Sequence, residues 1–212
     1  MKKKRTGKMK GLQTMKKRYA VFWALLSVVL YATAGFSDSE QVQGKIYQVG
    51  ELKPVDSLSK LKVGDKAPGF TLPSISGEPV SLSAYAGKKN VVISFVPAAW
   101  TPVCSNQWPG YNVAKSMIEK NDAVLIGITV DNIPSLYAWT VEMGGVWFPV
   151  LSDFWPHGQT ATKYGVFRSN GASERALFVI DKQGRIRYID VHDINEKPSL
   201  ETLITELEKL NE

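Results

Sequence analysis

A single cysteine, Cys104, occurs in the 212 residues, and its surroundings are the first chemical clue. It follows VVISFV (91–96), a β-branched and aromatic run of the kind buried in a central strand, then a turn containing Pro97 and Pro102, and it stands where a helix is predicted to begin. The start of a helix leaves backbone N–H groups unpaired and carries the positive end of the helix dipole, so a thiolate is stabilised there and becomes a nucleophile. A cysteine without such a setting is ordinarily an inert small hydrophobe of the core. With no second cysteine in the chain, an internal disulfide and a Cys-based zinc cluster are both excluded, and an oxidised Cys104 needs a thiol from outside to be restored.

Other chemistries find fewer residues to work with. His157 and His192, the only histidines, lie far apart and have no Cys or His neighbour at ligand spacing, so no metal is expected. Gly77 and Gly87 read as turn glycines, not as a phosphate loop, and no cofactor is expected. The lack of a histidine near Cys104 in sequence argues against a papain-like protease.

The elements that must position the thiol can be read from periodicity. VGDKAPGFTLPSISGEPVSL alternates apolar residues around Gly77 and predicts a hairpin. After the strand at 91–96, helical spacing runs from Trp108 to Lys120, and VLIGITV (124–130) is a second central strand, so strand, helix and strand form a right-handed parallel crossover. A helix over 133–143, a short strand at 148–153 and a brief helix at 158–164 follow. RALFVID (175–181) and RIRYIDV (185–191) flank the turn Lys182-Gln183-Gly184 as an antiparallel hairpin. Pro198 opens an amphipathic closing helix carrying Leu200, Leu203, Ile204, Leu207 and Leu210. A sheet parallel in its first half and antiparallel in its second, with helices on both faces, is the α/β class with a central mixed β-sheet.

The net charge of +6 belongs to the N-terminus. Nine of the 26 basic residues precede the first apolar run, and the other 17 face 20 acidic residues, so the body has no nucleic-acid footprint and no nucleic-acid partner is expected. Residues 19–36, YAVFWALLSVVLYATAGF, carry no charge and approach the length of a bilayer-spanning helix. Ala32-Thr33-Ala34 before Gly35 fits a signal-peptide cleavage site, whereas the length of the run fits an uncleaved membrane anchor. Under either reading the basic end stays in the cytoplasm and the body is exported, becoming periplasmic, extracellular or membrane-anchored. Residues 1–36 are thus an N-terminal apolar helix serving as signal or anchor, the mixed polar stretch 37–60 reads as a linker, and 61–212 is the domain.

The run VPAAWTPVCSNQ (96–107) resembles the active-site signature of the peroxiredoxin family, Pro-x-x-x-Thr-x-x-Cys, met here by Pro97, Thr101 and Cys104. With Trp108-Pro109-Gly110-Tyr111 behind it, it is most similar to the one-cysteine and atypical branches. The resemblance extends from about Val63 to Leu210 and includes VGDKAPGFTL, ITVD (128–131) and ERALFVIDKQGRIRY (174–188). It implies a thioredoxin-like fold and a thiol-dependent peroxidase in which Cys104 attacks a peroxide and passes through a sulfenic acid. It further implies that Thr101 turns its hydroxyl toward thiolate or peroxide, that Pro97 shields the thiol, and that Arg175 pairs with the thiolate and the departing oxygen. The implied partners are a peroxide substrate and an external thiol reductant, thioredoxin-like, glutaredoxin-like or of low molecular weight; a homodimer is the assembly it suggests.

Several alternatives accompany this reading. Against the active-site roles, Thr101 also fits a helix cap and Arg175 a strand-end surface residue; Arg168, in the loop-like VFRSN, is its rival. Trp100, Trp108 and Trp139 either rim an apolar peroxide pocket or fill the core. Gln107 stands where many family members carry an acidic residue, which leaves that residue's usual supporting contact in question. An exported thioredoxin-like disulfide reductase is opposed by Thr101, which occupies the place of the attacking cysteine in Trp-Cys-x-x-Cys. A noncatalytic binding module of the same fold differs from the peroxidase in consuming no peroxide.

Overall fold

A computed structural model of the chain describes residues 45–211. The apolar run at 19–36, with the signal or anchor read there, lies outside the described residues; among those that are described, no helix is long and apolar enough to cross a membrane.

Val91 to Phe95 alternate their side chains between two apolar environments, which is why the run carries no polar face. They lie in β3 (Asn90–Phe95), every residue of which is buried. It pairs parallel with β4 (Ala123–Thr129) and antiparallel with β6 (Arg175–Ile180). Outside these lie β5 (Val150–Ser152), parallel to β4, and β7 (Ile186–His192), antiparallel to β6, so the mixed sheet runs β5-β4-β3-β6-β7. The hairpin expected around Gly77 forms a separate two-stranded sheet of β1 (Thr71–Leu72) and β2 (Val80–Ser81).

Each face of the sheet holds its own core. On one, Val92, Leu125, Leu177 and Val179 meet helix residues including Trp108, Ile118, Leu136 and Leu203. On the other, Val91, Ile93, Phe95, Ile126 and Phe178 pack with Ala161, Tyr164 and the hairpin residue Leu72. Full burial of each large apolar side chain stabilises by about 1.5–3 kcal/mol, so the two-sided sheet is the scaffold on which the less regular parts rest.

The helices depart from expectation in one place that matters. The stretch expected as a helix from Trp108 to Lys120 is three pieces: α1 (Pro102–Gly110), a 3-10 turn (Tyr111–Ala114) and α2 (Lys115–Lys120). Helix α1 starts at Pro102, two residues before Cys104, because proline, with its fixed φ and no N–H to satisfy, suits the first helical position. Pro109 removes a backbone donor from the last turn of the same helix, which ends at the next residue. The later helices, α3 (Ile133–Glu142), α4 (Gln159–Lys163) and α5 (Leu200–Glu208), follow the expected positions. Side-chain caps set two of these starts: Asn132 Oδ1 accepts from the Ser135 N–H at 3.0 Å, and Ser199 Oγ from the Thr202 N–H at 3.1 Å.

The stretch read as a linker also differs. Residues 46–212 form one compact unit, and residues 47–59 are strapped across it by specific hydrogen bonds. The Tyr47 N–H donates to Trp100 O at 2.8 Å, Leu52 N–H to Asn195 Oδ1 at 2.9 Å, and Ser59 Oγ to Tyr164 O at 2.8 Å. Glu174, fully buried, accepts from the Asp56 and Ser57 N–H groups at 2.7 and 2.6 Å with one carboxylate oxygen and pairs with Arg168 through the other. Arg168 in turn donates to Lys53 O at 2.7 Å. The domain therefore begins near Ile46, not Leu61. An extended strap bonded through its backbone shows no side-chain period, which is why the sequence reads as a spacer there.

Candidate active site

Cys104 is the third residue of α1 and is fully buried. The turn that delivers it, residues 97–101, leaves β3 and is braced from two sides. The Ala99 N–H donates to Asp131 Oδ2 at 2.8 Å, and Ser173 Oγ donates to Val96 O at 2.8 Å. Trp100 takes a left-handed φ of 61° just before the helix, a conformation that a non-glycine residue holds only when its surroundings over-determine it. The following Thr101 is extended, at φ −111° and ψ 154°, and occupies the cap position without capping. Its hydroxyl donates instead to Ala98 O at 2.9 Å, so what Thr101 offers the neighbouring cavity is its lone pairs.

Arg175, the first residue of β6, reaches the thiol from the sheet. Alternation along the strand puts Arg175, Leu177 and Val179 on one side, and Leu177 and Val179 belong to the same core as Cys104. The guanidinium is buried. Its Nε and Nη2 donate to Ile194 O at 3.2 and 2.9 Å, its Nη1 to Gln107 Oε1, and its Nη2 stands 3.5 Å from Cys104 Sγ. Among the described residues no carboxylate bonds to it. A buried cation surrounded by neutral oxygens favours an anion at the remaining position, and that position is held by sulfur.

Gln107, one turn of α1 beyond Cys104, joins the guanidinium to the core. Its oxygen takes the guanidinium, and its nitrogen donates to Tyr111 Oη at 2.8 Å and to Ser94 Oγ at 3.3 Å. Burial pushes the Tyr111 phenol above its ordinary value, keeping it a neutral acceptor for that amide. The supporting contact is thus made without bringing a second negative charge to Arg175.

The tryptophans separate from the site. Trp108 and Trp139 are fully buried with ring centroids 5.0 Å apart, and their indole N–H groups donate to Ser94 Oγ at 3.2 Å and Ser105 Oγ at 2.9 Å. They are core, as is the packed edge of Trp100, and none of the three borders the cavity. Trp108 lies so close to β4 that a Cβ on Gly127 would stand 2.7 Å from its ring, which explains glycine inside a central strand. Arg168 is likewise excluded from the thiol site: its partners are Glu174 and Lys53.

A cavity of about 580 Å³ opens beside these groups, bordered by Pro97, Thr101 and Arg175 together with the strap around Tyr47 to Leu52. The structure thus lines one cavity with Pro97, Thr101 and Arg175, and Arg175 links it to Cys104, whose fully buried sulfur lies behind the lining. The strap, Asn195, Gln107 as the guanidinium's partner and the bracing Asp131 are additions that the motif alone does not name. Among the described residues no group of three or more His, Cys, Asp or Glu is placed to hold a metal ion.

The sequence model of the AhpC/TSA family matches residues 63–189, more than half of the chain. The chain belongs to the AhpC/TSA family. As a family member with a single cysteine it falls among the one-cysteine peroxiredoxins, thiol-dependent peroxidases with a thioredoxin-like fold. It is 36% identical over 137 residues to alkyl hydroperoxide reductase E of Mycobacterium tuberculosis, covering 64% of this chain and 89% of that protein. It is 29% identical over 158 residues to the chloroplastic 2-Cys peroxiredoxin BAS1 of Arabidopsis thaliana, covering 70% and 59%. Among solved structures, the mitochondrial 2-Cys peroxiredoxin of Plasmodium falciparum superposes with a TM-score of 0.63 at 28% identity, over 71% of this peroxiredoxin and 94% of that chain. Peroxidoxin BcpB of Mycobacterium tuberculosis, at 24% identity, shares the fold with a TM-score of 0.63 over 71% and 98%.

Proposed function

We propose that this peroxiredoxin reduces hydrogen peroxide or organic hydroperoxides through a sulfenic acid on Cys104, regenerated by an external thiol. The observation that carries the reading is the guanidinium of Arg175 against Cys104 Sγ at 3.5 Å, with no carboxylate partner of its own among the described residues. The Cys104 thiolate attacks the terminal peroxide oxygen. The S–O bond forms as the O–O bond breaks, the leaving oxygen departs with a proton as water or an alcohol, and the sulfur is oxidised by two electrons to the sulfenic acid. Arg175 donates to the charge moving from sulfur to oxygen, Thr101 offers its lone pairs to the peroxide proton, and Pro97 keeps an N–H and water away from the thiol. One external thiol then displaces water to form a mixed disulfide, and a second releases Cys104.

The cysteine count makes this testable by stoichiometry. Prereduced protein free of small thiols is expected to consume about one equivalent of peroxide per chain and stop, leaving a chain heavier by one oxygen; added thiol restarts it. Continued turnover with no thiol present would show a different chemistry, and no consumption at all would favour the noncatalytic module.

The reading includes a location and an assembly. The basic segment and apolar run of residues 1–36 support export of the domain, by a cleaved signal or a retained anchor. In cells whose outer layers have been opened, added protease should digest the domain without lysis of the cytoplasmic membrane, and a mature N-terminus at Gly35 would identify cleavage. Protection of the domain until lysis would reverse the assignment. A homodimer belongs to the same reading, and a monomer mass by sedimentation would remove it.

A further inference from the structure

We infer that the strap Tyr47–Leu52 is a specificity-determining wall of the peroxide site, favouring hydroperoxides whose apolar substituent fills the cavity over hydrogen peroxide itself. This rests on the peroxidase reading and assigns a role in it to residues outside 63–189, the part of the chain that the family's model matches.

Three features of the strap support the role. It is anchored on both sides of the cavity: the Tyr47 N–H bonds to Trp100 O, next to the catalytic turn, and the Leu52 backbone is gripped by Asn195, which accepts from its N–H at 2.9 Å and donates to its carbonyl at 2.8 Å. Asn195 is itself oriented by Asp193 Oδ1 at 2.8 Å. Two residues past the strap the chain also connects to the reacting groups, because Ile194 donates its N–H to Pro54 O at 3.0 Å while its carbonyl accepts two bonds from Arg175. Finally, the strap contributes Tyr47, Val49 and Leu52 to a cavity that Pro97, Ala98 and Val103 also line. Hydrogen peroxide, about the size of two waters at ~30 Å³ each, leaves most of 580 Å³ unfilled. An apolar substituent buries itself against these side chains, and a binding gain of that kind is lost when the wall is trimmed.

The test compares the second-order rates of Cys104 oxidation by cumene hydroperoxide and by hydrogen peroxide in the full chain. Leu52→Ala is expected to lower the ratio of the two rates about tenfold, the size of change that removing a few methylenes from a substrate pocket brings. Val49→Ala should shift the ratio in the same direction, and Leu52→Met should retain it. An unchanged ratio in both alanine variants, or an equal fall in both rates, would overturn the wall while leaving the peroxidase reading in place. Oxidation of the wild-type thiol by neither peroxide would overturn both.

Discussion

Replacing Cys104 with serine should reduce peroxide consumption to the uncatalysed background. The reaction needs an atom that can accept oxygen and give up two electrons, which sulfur does and a serine oxygen does not. No second thiol is present to take over. The substitution is close to isosteric, and the new hydroxyl in the buried position has Arg175 beside it as a donor, so the polar atom is not orphaned. The thermal midpoint should accordingly stay near that of the wild type. Consumption at wild-type rates by a folded Cys104→Ser variant would remove Cys104 from the mechanism.

Arg175→Ala should slow peroxidation by about 10²-fold or more, the loss expected when a charged donor to the developing oxyanion is removed. Ionisation alone does not account for such an effect. At pH 7 about 3% of an ordinary thiol is already thiolate, so complete ionisation gains only about 30-fold. The remainder must come from donors aimed at the oxygen that takes up charge. Because alanine also leaves the Gln107 oxygen and the Ile194 carbonyl without their partner, Arg175→Lys is the companion variant: it keeps the charge but not the planar fork and should recover only part of the rate. Arg168→Ala provides the contrast. It removes the partner of a buried carboxylate, so its main cost is to stability, about 3–5 kcal/mol for a broken buried pair, with far less effect on the chemical step of the protein that remains folded. Rapid-mixing rates that rank the two arginines the other way would reverse their assignment.

Much of the scaffold was legible because its signals are local. The run at 91–96, the hairpin at 175–191, the helix over 133–143 and the closing helix after Pro198 depend on residues close in sequence, and the structure places elements there. The site was legible through Pro97, Thr101 and Cys104, whose spacing belongs to one turn. Arg175 could have been preferred over Arg168 without the motif: strand alternation sets it beside Leu177 and Val179 on the face where the cysteine's helix packs. The strap was not legible, because what holds it are carbonyl, amide and carboxylate partners far off in sequence, from Trp100 to Glu174 and Asn195. The tryptophans show the same limit, since a rim and a core aromatic have one sequence signature and differ only in what the rest of the chain packs around them.

Helix α1 has little to hold it in place by itself. It has nine residues, no side-chain cap, no acidic residue in its first turn and a proline inside, and isolated helices shorter than about 12–15 residues are marginal in water. Its rotation about its own axis is set from below, where the Trp108 ring sits against Gly127 and its indole N–H holds Ser94. The orientation of Cys104 is therefore in part a property of two strands, beside the hold of Arg175 on Gln107. A missing side chain in β4 and a hydroxyl in β3 act as alignment marks for the Cys104 sulfur, and a methyl group at either mark would change the angle at which it is held.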